Sequence, residues 1–318
     1  MDKDDAMTMF RLTLVACALA MCLAGCRSRP PEGKPQVVAT IFPLQDVTRQ
    51  IAGDDAQVDS LLPPGRSPHG YSLTTQQVEA LGKARLMIMV GKGIDEWAER
   101  AVGARGGELA VLRLINDEQL SQHLKKSDDE HEGHEGHRHD HGDHGDIDDP
   151  HIWLDPVFMQ RFCRLIADKL AGMDAAHKDQ YFQRRDDYIQ KLKELDAEYA
   201  RELAPFKGQK IVTYHTAFTY ICRRYGLEQV NMYTAAGEAF GTDTERQDRI
   251  VKMLESRQVK VIFLEPQYQL QSGLKERLEK AKVKIAVLDP QGDPRKTGYD
   301  SYIALMRSNL KTIVESLR

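Results

Sequence analysis

The chain is short of cysteine, of long apolar runs and of net charge, and each shortage excludes something. Its 318 residues include five cysteines. Cys17, Cys22 and Cys26 cluster near the start, so only Cys163 and Cys222 belong to the body. Two cysteines cannot make a disulfide scaffold, so the fold must rest on a packed core. Both lie in helical patterns and read as buried thiols, with a disulfide as the alternative. The 44 basic residues nearly balance the 48 acidic ones, which leaves no basic surplus for a nucleic-acid partner. With 29% charged and 41% hydrophobic residues, collagenous, wholly disordered and polytopic membrane classes are excluded. The nucleotide signatures G-x-x-x-x-G-K-[ST] and G-x-G-x-x-G are absent, as is the metallohydrolase signature H-E-x-x-H.

The marked apolar run, Leu12–Leu23 (LTLVACALAMCL), has the length of a signal-peptide core and is too short to span a bilayer comfortably. Lys3 and Arg11 give it a weak positive flank, and Asp2, Asp4 and Asp5 suggest a true start at Met7 or Met9. It ends in Leu23-Ala24-Gly25-Cys26, which resembles a lipobox, the cleavage and lipidation site of bacterial lipoproteins. Acyl chains on Cys26 would anchor the mature chain, since each buried CH₂ contributes about 0.8 kcal/mol. The alternative is an ordinary cleaved signal followed by an incidental cysteine.

Beyond the tether, short β-branched runs alternate with helical patterns, which predicts an α/β class. Candidate strands form two groups of four: 36–41, 57–62, 85–90 and 109–114, then 210–214, 228–233, 259–264 and 283–288. Capping boxes at Thr74–Gln77 and Thr244–Gln247 mark helix starts. Between the groups, Tyr181, Tyr188, Leu192, Leu195, Tyr199 and Leu203 recur at spacings of three, four or seven. They define one face of a helix from about 175 to 203, long enough to run along both lobes. The expected organisation is therefore a signal peptide over 1–25, a lipidated tether over 26–35, an N-terminal lobe over 36–174, a linker helix over 175–204 and a C-terminal lobe over 205–318. Each lobe is expected to be a four-stranded Rossmann-like unit, with the long helix as a rigid bridge.

One segment departs from this pattern. Residues 127–150 carry His131, His134, His137, His139, His141 and His144, with ten acidic residues against one basic, Arg138. So few apolar groups cannot build a core, which predicts a mobile loop. Imidazoles among carboxylates favour borderline divalent metals. A solvated acidic linker is the other reading. Five histidines lie elsewhere. His123 and His177 read as surface residues. His69 ends the turn-rich Pro63-Pro64-Gly65-Arg66-Ser67-Pro68 loop, His151 follows Asp149-Pro150, and His215 and Asp289 sit at carboxyl ends of second-lobe strands. Ligands in open α/β sheets bind outside those ends. Two groups from each lobe could thus converge in the inter-lobe cleft, a tetrahedral set suited to Zn²⁺.

Four stretches make this specific: Leu62–Thr74 (LPPGRSPHGYSLT), Asp149–Pro156 (DPHIWLDP), Tyr214–Leu227 (YHTAFTYICRRYGL) and the pair VIFLEP and LDPQG at 261–266 and 288–292. Together, in this order, they resemble the metal-binding lipoproteins of zinc/manganese ABC importers, and the His-rich segment lies where zinc-type members carry theirs. The resemblance implies His69, His151, His215 and Asp289 as ligands of a transported Zn²⁺. It implies no enzymatic activity, an extracytoplasmic, membrane-anchored monomer, and delivery to a permease driven by a cytoplasmic ATPase. Asp155 and Glu265 are candidates for orienting the ligands, or else a helix N-cap and a buried-turn carboxylate. Ser67, where family members commonly have an acidic residue, and Phe240–Asp243, where Glu-Pro-Ser is more typical, are departures. A third imidazole in place of a second carboxylate favours zinc over manganese. Rival readings are a manganese carrier, a zinc-dependent hydrolase, and a passive zinc buffer or adhesin.

Overall fold

The computed structural model describes residues 34–105, 109–124, 149–232 and 243–318. The proposed leader, Cys26 and the six histidines between 131 and 144 lie outside them.

Two four-stranded parallel sheets carry the architecture. β1 (Gln36–Ala39), β2 (Gln57–Ser60), β3 (Leu86–Met89) and β4 (Ala110–Arg113) are ordered β2-β1-β3-β4. β5 (Lys210–Thr213), β6 (Glu228–Asn231), β7 (Val261–Leu264) and β8 (Lys284–Val287) repeat the same winding as β6-β5-β7-β8. All eight fall where the β-branched runs predict them, shortened by one or two residues. The first-sheet central strand β3 reads Leu-Met-Ile-Met and is buried throughout, as a strand covered on both faces must be. In the second sheet, side chains alternate between two cores. Val212 and Ile262 face a local cluster with Ile250, Leu254 and Leu278. Ile211, Val261 and Phe263 face a larger one, which runs without interruption into the first lobe.

The described helices are α1 (Phe42–Ala52), α2 (Thr75–Lys83), α3 (Glu96–Arg105), α4 (Glu118–Leu124), α5 (Pro156–Met173), α6 (Lys178–Leu203), α7 (Thr219–Tyr225), α8 (Asp243–Ser256), α9 (Ser272–Lys280) and α10 (Tyr302–Leu317). α2 begins with the expected capping box, Thr74 accepting from Gln77 N and the Gln77 side chain returning to Thr74 N. The second box is not used: α8 is already helical at Asp243, and Gln247 donates to Gln271 Oε1 at 2.8 Å instead. A 3-10 turn over 175–177 precedes α6, whose 26 residues reach about 39 Å at 1.5 Å per residue. Its buried face comprises the predicted positions plus Ile189. It packs on α1 and α5 on one side and on α7 and α10 on the other, so it touches both lobes. Among the described residues no helix is long and apolar enough to cross a membrane. Cys163 and Cys222 are both buried and free.

Polar contacts tie the lobes beside the cleft. Trp153 donates its indole N–H to Pro290 O, and Tyr302 donates its hydroxyl to Trp153 O, both at 2.8 Å. Tyr302 N in turn donates to Asp46 of α1 at 2.9 Å. The Trp153 indole N–H, the Tyr302 hydroxyl and the Tyr302 N–H are each satisfied, so these contacts specify how the lobes meet.

Candidate metal centre

Three histidines arrive at one point from different parts of the fold. His69 is held on the loop after β2: its N–H donates to Ser67 Oγ at 3.2 Å, while the preceding Pro68 carbonyl accepts from Trp97 Nε1 at 2.8 Å. His151 sits in the turn before α5, only 2% exposed. Its N–H donates to Asp149 Oδ1 at 2.9 Å, and its Nδ1 lies 2.6 Å from the same oxygen. His215 follows β5, with Nδ1 2.7 Å from Glu265 Oε1 at the carboxyl end of β7. A carboxylate at Nδ1 keeps the proton there and leaves the Nε2 lone pair free to bind a metal.

The nitrogens of these rings are close. His69 Nε2 and His151 Nε2 are 3.2 Å apart, and ligand atoms of all three histidines lie within 4.8 Å of one another. Two nitrogens on a tetrahedral Zn²⁺ at 2.0–2.1 Å stand roughly 3.3 Å apart. The His69–His151 separation is thus close to one edge of such a tetrahedron. Burial lowers the His69 pKa to about 4, and the neighbouring His151 and His215 push the same way. His69 is therefore an uncharged, ligand-ready imidazole at neutral pH. Burial alone would raise the Asp149 pKa, but its bonds to His151 outweigh that and hold it below the usual carboxylate range.

Asp289, the fourth ligand the resemblance implies, is not part of the 4.8 Å cluster. It follows β8, is buried, and its Oδ1 accepts from Gln291 N at 2.8 Å and Gly292 N at 2.9 Å. Burial raises its pKa, and the Glu265 charge adds to this. The tight turn depends on Gly292: φ is +76°, and a Cβ there would stand 2.9 Å from Tyr299 O.

The sequence expectation for the orienting carboxylates divides. Glu265 takes that place beside His215. Asp155 does not face an imidazole: it caps α5 by accepting from Val157 N and Phe158 N, and both of its oxygens meet Arg224 Nε at 2.6–2.8 Å. The carboxylate on His151 is Asp149, which an acidic stretch disguises in the sequence. Asp95 is a second residue that sequence reasoning missed. Fully buried, it accepts from Thr40 Oγ1, Val90 N and Gly91 N at 2.7–2.9 Å. That fixes the Gly91-Lys92-Gly93 turn, whose φ angles are all left-handed. A Cβ on Gly91 would meet Ile115 at 2.8 Å. Lys92 and Gly93 line a cleft of about 520 Å³ together with His69, Asp149, His151, His215 and Thr216. A smaller cleft of about 260 Å³ opens on another side of His69, between the 65–71 loop and Gln267–Tyr268. His177 stands apart from the centre, paired with Asp174 at 2.7 Å.

Two like-wound α/β lobes, a long helix along both and imidazoles converging in the cleft define a two-lobed α/β protein with a candidate metal site. The chain belongs to the family described as zinc-uptake complex component A, periplasmic (ZnuA), whose pattern matches residues 37–316. It is 28% identical over 310 residues to the zinc-binding lipoprotein AdcA of Streptococcus pneumoniae R6, covering 95% of this chain and 60% of that protein. The chain thus spans about 60% of the length of such relatives. It is 32% identical over 223 residues to the high-affinity zinc uptake system protein ZnuA of Bacillus subtilis, covering 68% of each. The crystal structure of the Zn(II)-bound ZnuA-like domain of S. pneumoniae AdcA superposes with a TM-score of 0.69 at 25% identity, covering 90% of this chain and 99% of that one.

Proposed function

We propose that the protein captures Zn²⁺ outside the cytoplasm and hands it to an ABC permease for import. The observation that carries this reading is the meeting of three imidazoles, two of them held by a carboxylate at Nδ1. His69, His151 and His215 would bind through nitrogen. Asp289 would complete the tetrahedron with its second oxygen, since Oδ1 is engaged by the Gln291 and Gly292 amides. A divalent cation reverses the effect of burial on Asp289, so capture is coupled to loss of any proton it carries. Three imidazoles and one carboxylate suit zinc better than manganese, while Cu²⁺ and Ni²⁺ would also bind in vitro. The relatives are named as a zinc-binding lipoprotein and a zinc uptake protein, which supports the same choice.

The carboxylates beside the histidines are committed to them, which leaves neither as a free general base for hydrolysis. The family is one of solute-binding components of transporters, and the protein is read as a non-enzymatic carrier. Residues 1–25 act in this reading as a signal peptide, and Cys26 as the lipid anchor of a monomer whose 26–35 tether leads into lobes over 36–174 and 205–318. AdcA of S. pneumoniae is likewise named a lipoprotein. His131, His134, His137, His139, His141 and His144 serve as accessory metal contacts.

Zinc titration of the mature protein tests the assignment. The native chain should bind one ion tightly enough to survive a competing chelator of micromolar affinity. His151→Ala should lose that event, and tight binding retained in the variant would defeat the assignment.

A further inference from the structure

The stretch that carries His151 is held at both ends by one short helix of the second lobe. That helix, α7, begins at Thr219, four residues after His215. Its Tyr220 and Arg224 are four positions apart and so share one face. Tyr220 is buried and donates its hydroxyl to the Asp149 carbonyl at 2.6 Å. Arg224 Nε meets both Asp155 oxygens at 2.6–2.8 Å. Phe158 of α5 packs against both: its ring is 5.5 Å from the Tyr220 ring, edge to face, and its centroid is 5.3 Å from the Arg224 guanidinium. His151 thus lies in a seven-residue stretch, Asp149–Asp155, pinned at its first and last residues. The two ends differ in what they hold. Asp155 caps α5, whereas Asp149 grips the imidazole: its Oδ1 accepts the His151 backbone N–H at 2.9 Å and stands 2.6 Å from Nδ1.

We infer that Tyr220 is a positioning residue: by holding the Asp149 main chain it keeps the Asp149–His151 pair in binding geometry and slows release of the metal. The inference rests on the metal-site reading above. Its physical basis is preorganisation. The Asp149 carboxylate orients the His151 ring only as well as its own backbone is fixed, and partners behind a ligand tune metal affinity. A pair already pinned loses less freedom when the ion binds. Because α7 follows directly on His215, one segment of chain carries a second-lobe imidazole and the support of a first-lobe one. Arg224 secures the other end of the stretch through the α5 cap, where no imidazole is engaged.

The test is a set of zinc dissociation rates, measured by rapid mixing of the loaded mature protein with a chromogenic chelator. Tyr220→Phe keeps the ring and its packing on Phe158 and removes only the hydroxyl. It should release zinc about fivefold faster, the loss of one ordinary hydrogen bond. In the metal-free protein the His151 backbone amide should exchange with heavy water faster by a similar factor. Tyr225→Phe is the control for general loosening of α7: it removes a hydroxyl of the same helix that donates to Asp196 of α6 at 2.9 Å, and it should release zinc at the native rate. In an Asp149→Ala background the carboxylate that Tyr220 positions is gone, so adding Tyr220→Phe should change the rate less than twofold. Native release and exchange in Tyr220→Phe, equal acceleration by Tyr225→Phe, or a full fivefold effect in the Asp149→Ala background overturns the positioning role while zinc binding persists. Tight binding retained in His151→Ala overturns the metal-site reading itself, and the role of Tyr220 with it.

Discussion

At the scale of single residues, the centre is a contest between burial and pairing. His151 and His215 are each given a carboxylate at Nδ1, while His69 is surrounded by two other imidazoles and titrates near 4 rather than 6.5. The sign of the resulting pH dependence is fixed. Below pH 6.5 the unfolded chain takes up a proton at His69 that the folded, metal-free chain refuses until about pH 4. The unfolded state thus binds more protons in that window, and stability falls as pH falls through it. Melting temperatures of chelator-treated protein from pH 7 to 4.5 should therefore drop more steeply for the native chain than for His69→Gln. Equal slopes would show that His69 is not depressed. The sequence disclosed His69, His151 and His215 because each follows a strand or a proline turn. It did not disclose which acid serves which imidazole: Asp155 is claimed by Arg224, a partner 69 residues away whose approach no local pattern records.

At the scale of elements, periodicity was a good guide and boundaries were not. The strands were legible because buried parallel strands need unbroken β-branched runs, and α6 because its tyrosines and leucines keep one face. The predicted start of α6 included the 175–177 turn, since a 3-10 turn and a helix share the same local composition. Ile189 joins the buried face because both lobes press on the helix. Leu192 is fully buried on that face. Leu192→Ala should therefore destabilise the protein by about 2–5 kcal/mol, the usual cost of deleted contacts plus the cavity left behind. Urea unfolding should show this as a lower midpoint at an unchanged slope. Zinc affinity measured well below that midpoint should change by less than threefold, because α6 supplies none of the four proposed ligands. A large affinity loss would mean that the strut tunes the cleft rather than merely holding the lobes.

At the scale of the whole molecule, the small net charge of −4 conceals two opposed parts. Residues 26–126 and 151–318 together hold 41 basic and 35 acidic residues, while 127–150 holds ten acidic and one basic. A positively charged body does not by itself attract a divalent cation, and long-range attraction falls off within about 8 Å at physiological salt. In the proposed reading the acidic, histidine-rich segment reverses the local sign and offers many weak ligands. The cleft in that reading offers one strong set whose partners, Asp149 and Glu265, lie outside the stretch Asp128–Gly145. Deleting Asp128–Gly145 should therefore separate collection from capture. The shortened protein should keep the single tight zinc event at unchanged affinity and lose the weaker ions bound beyond it. Its zinc association rate should fall most at low ionic strength, where the removed charge acts farthest. The readouts are calorimetric titration for stoichiometry and stopped-flow fluorescence for rate at two salt concentrations. Loss of the tight event on deletion would place the strong site in the segment itself and make the converging imidazoles of the cleft secondary.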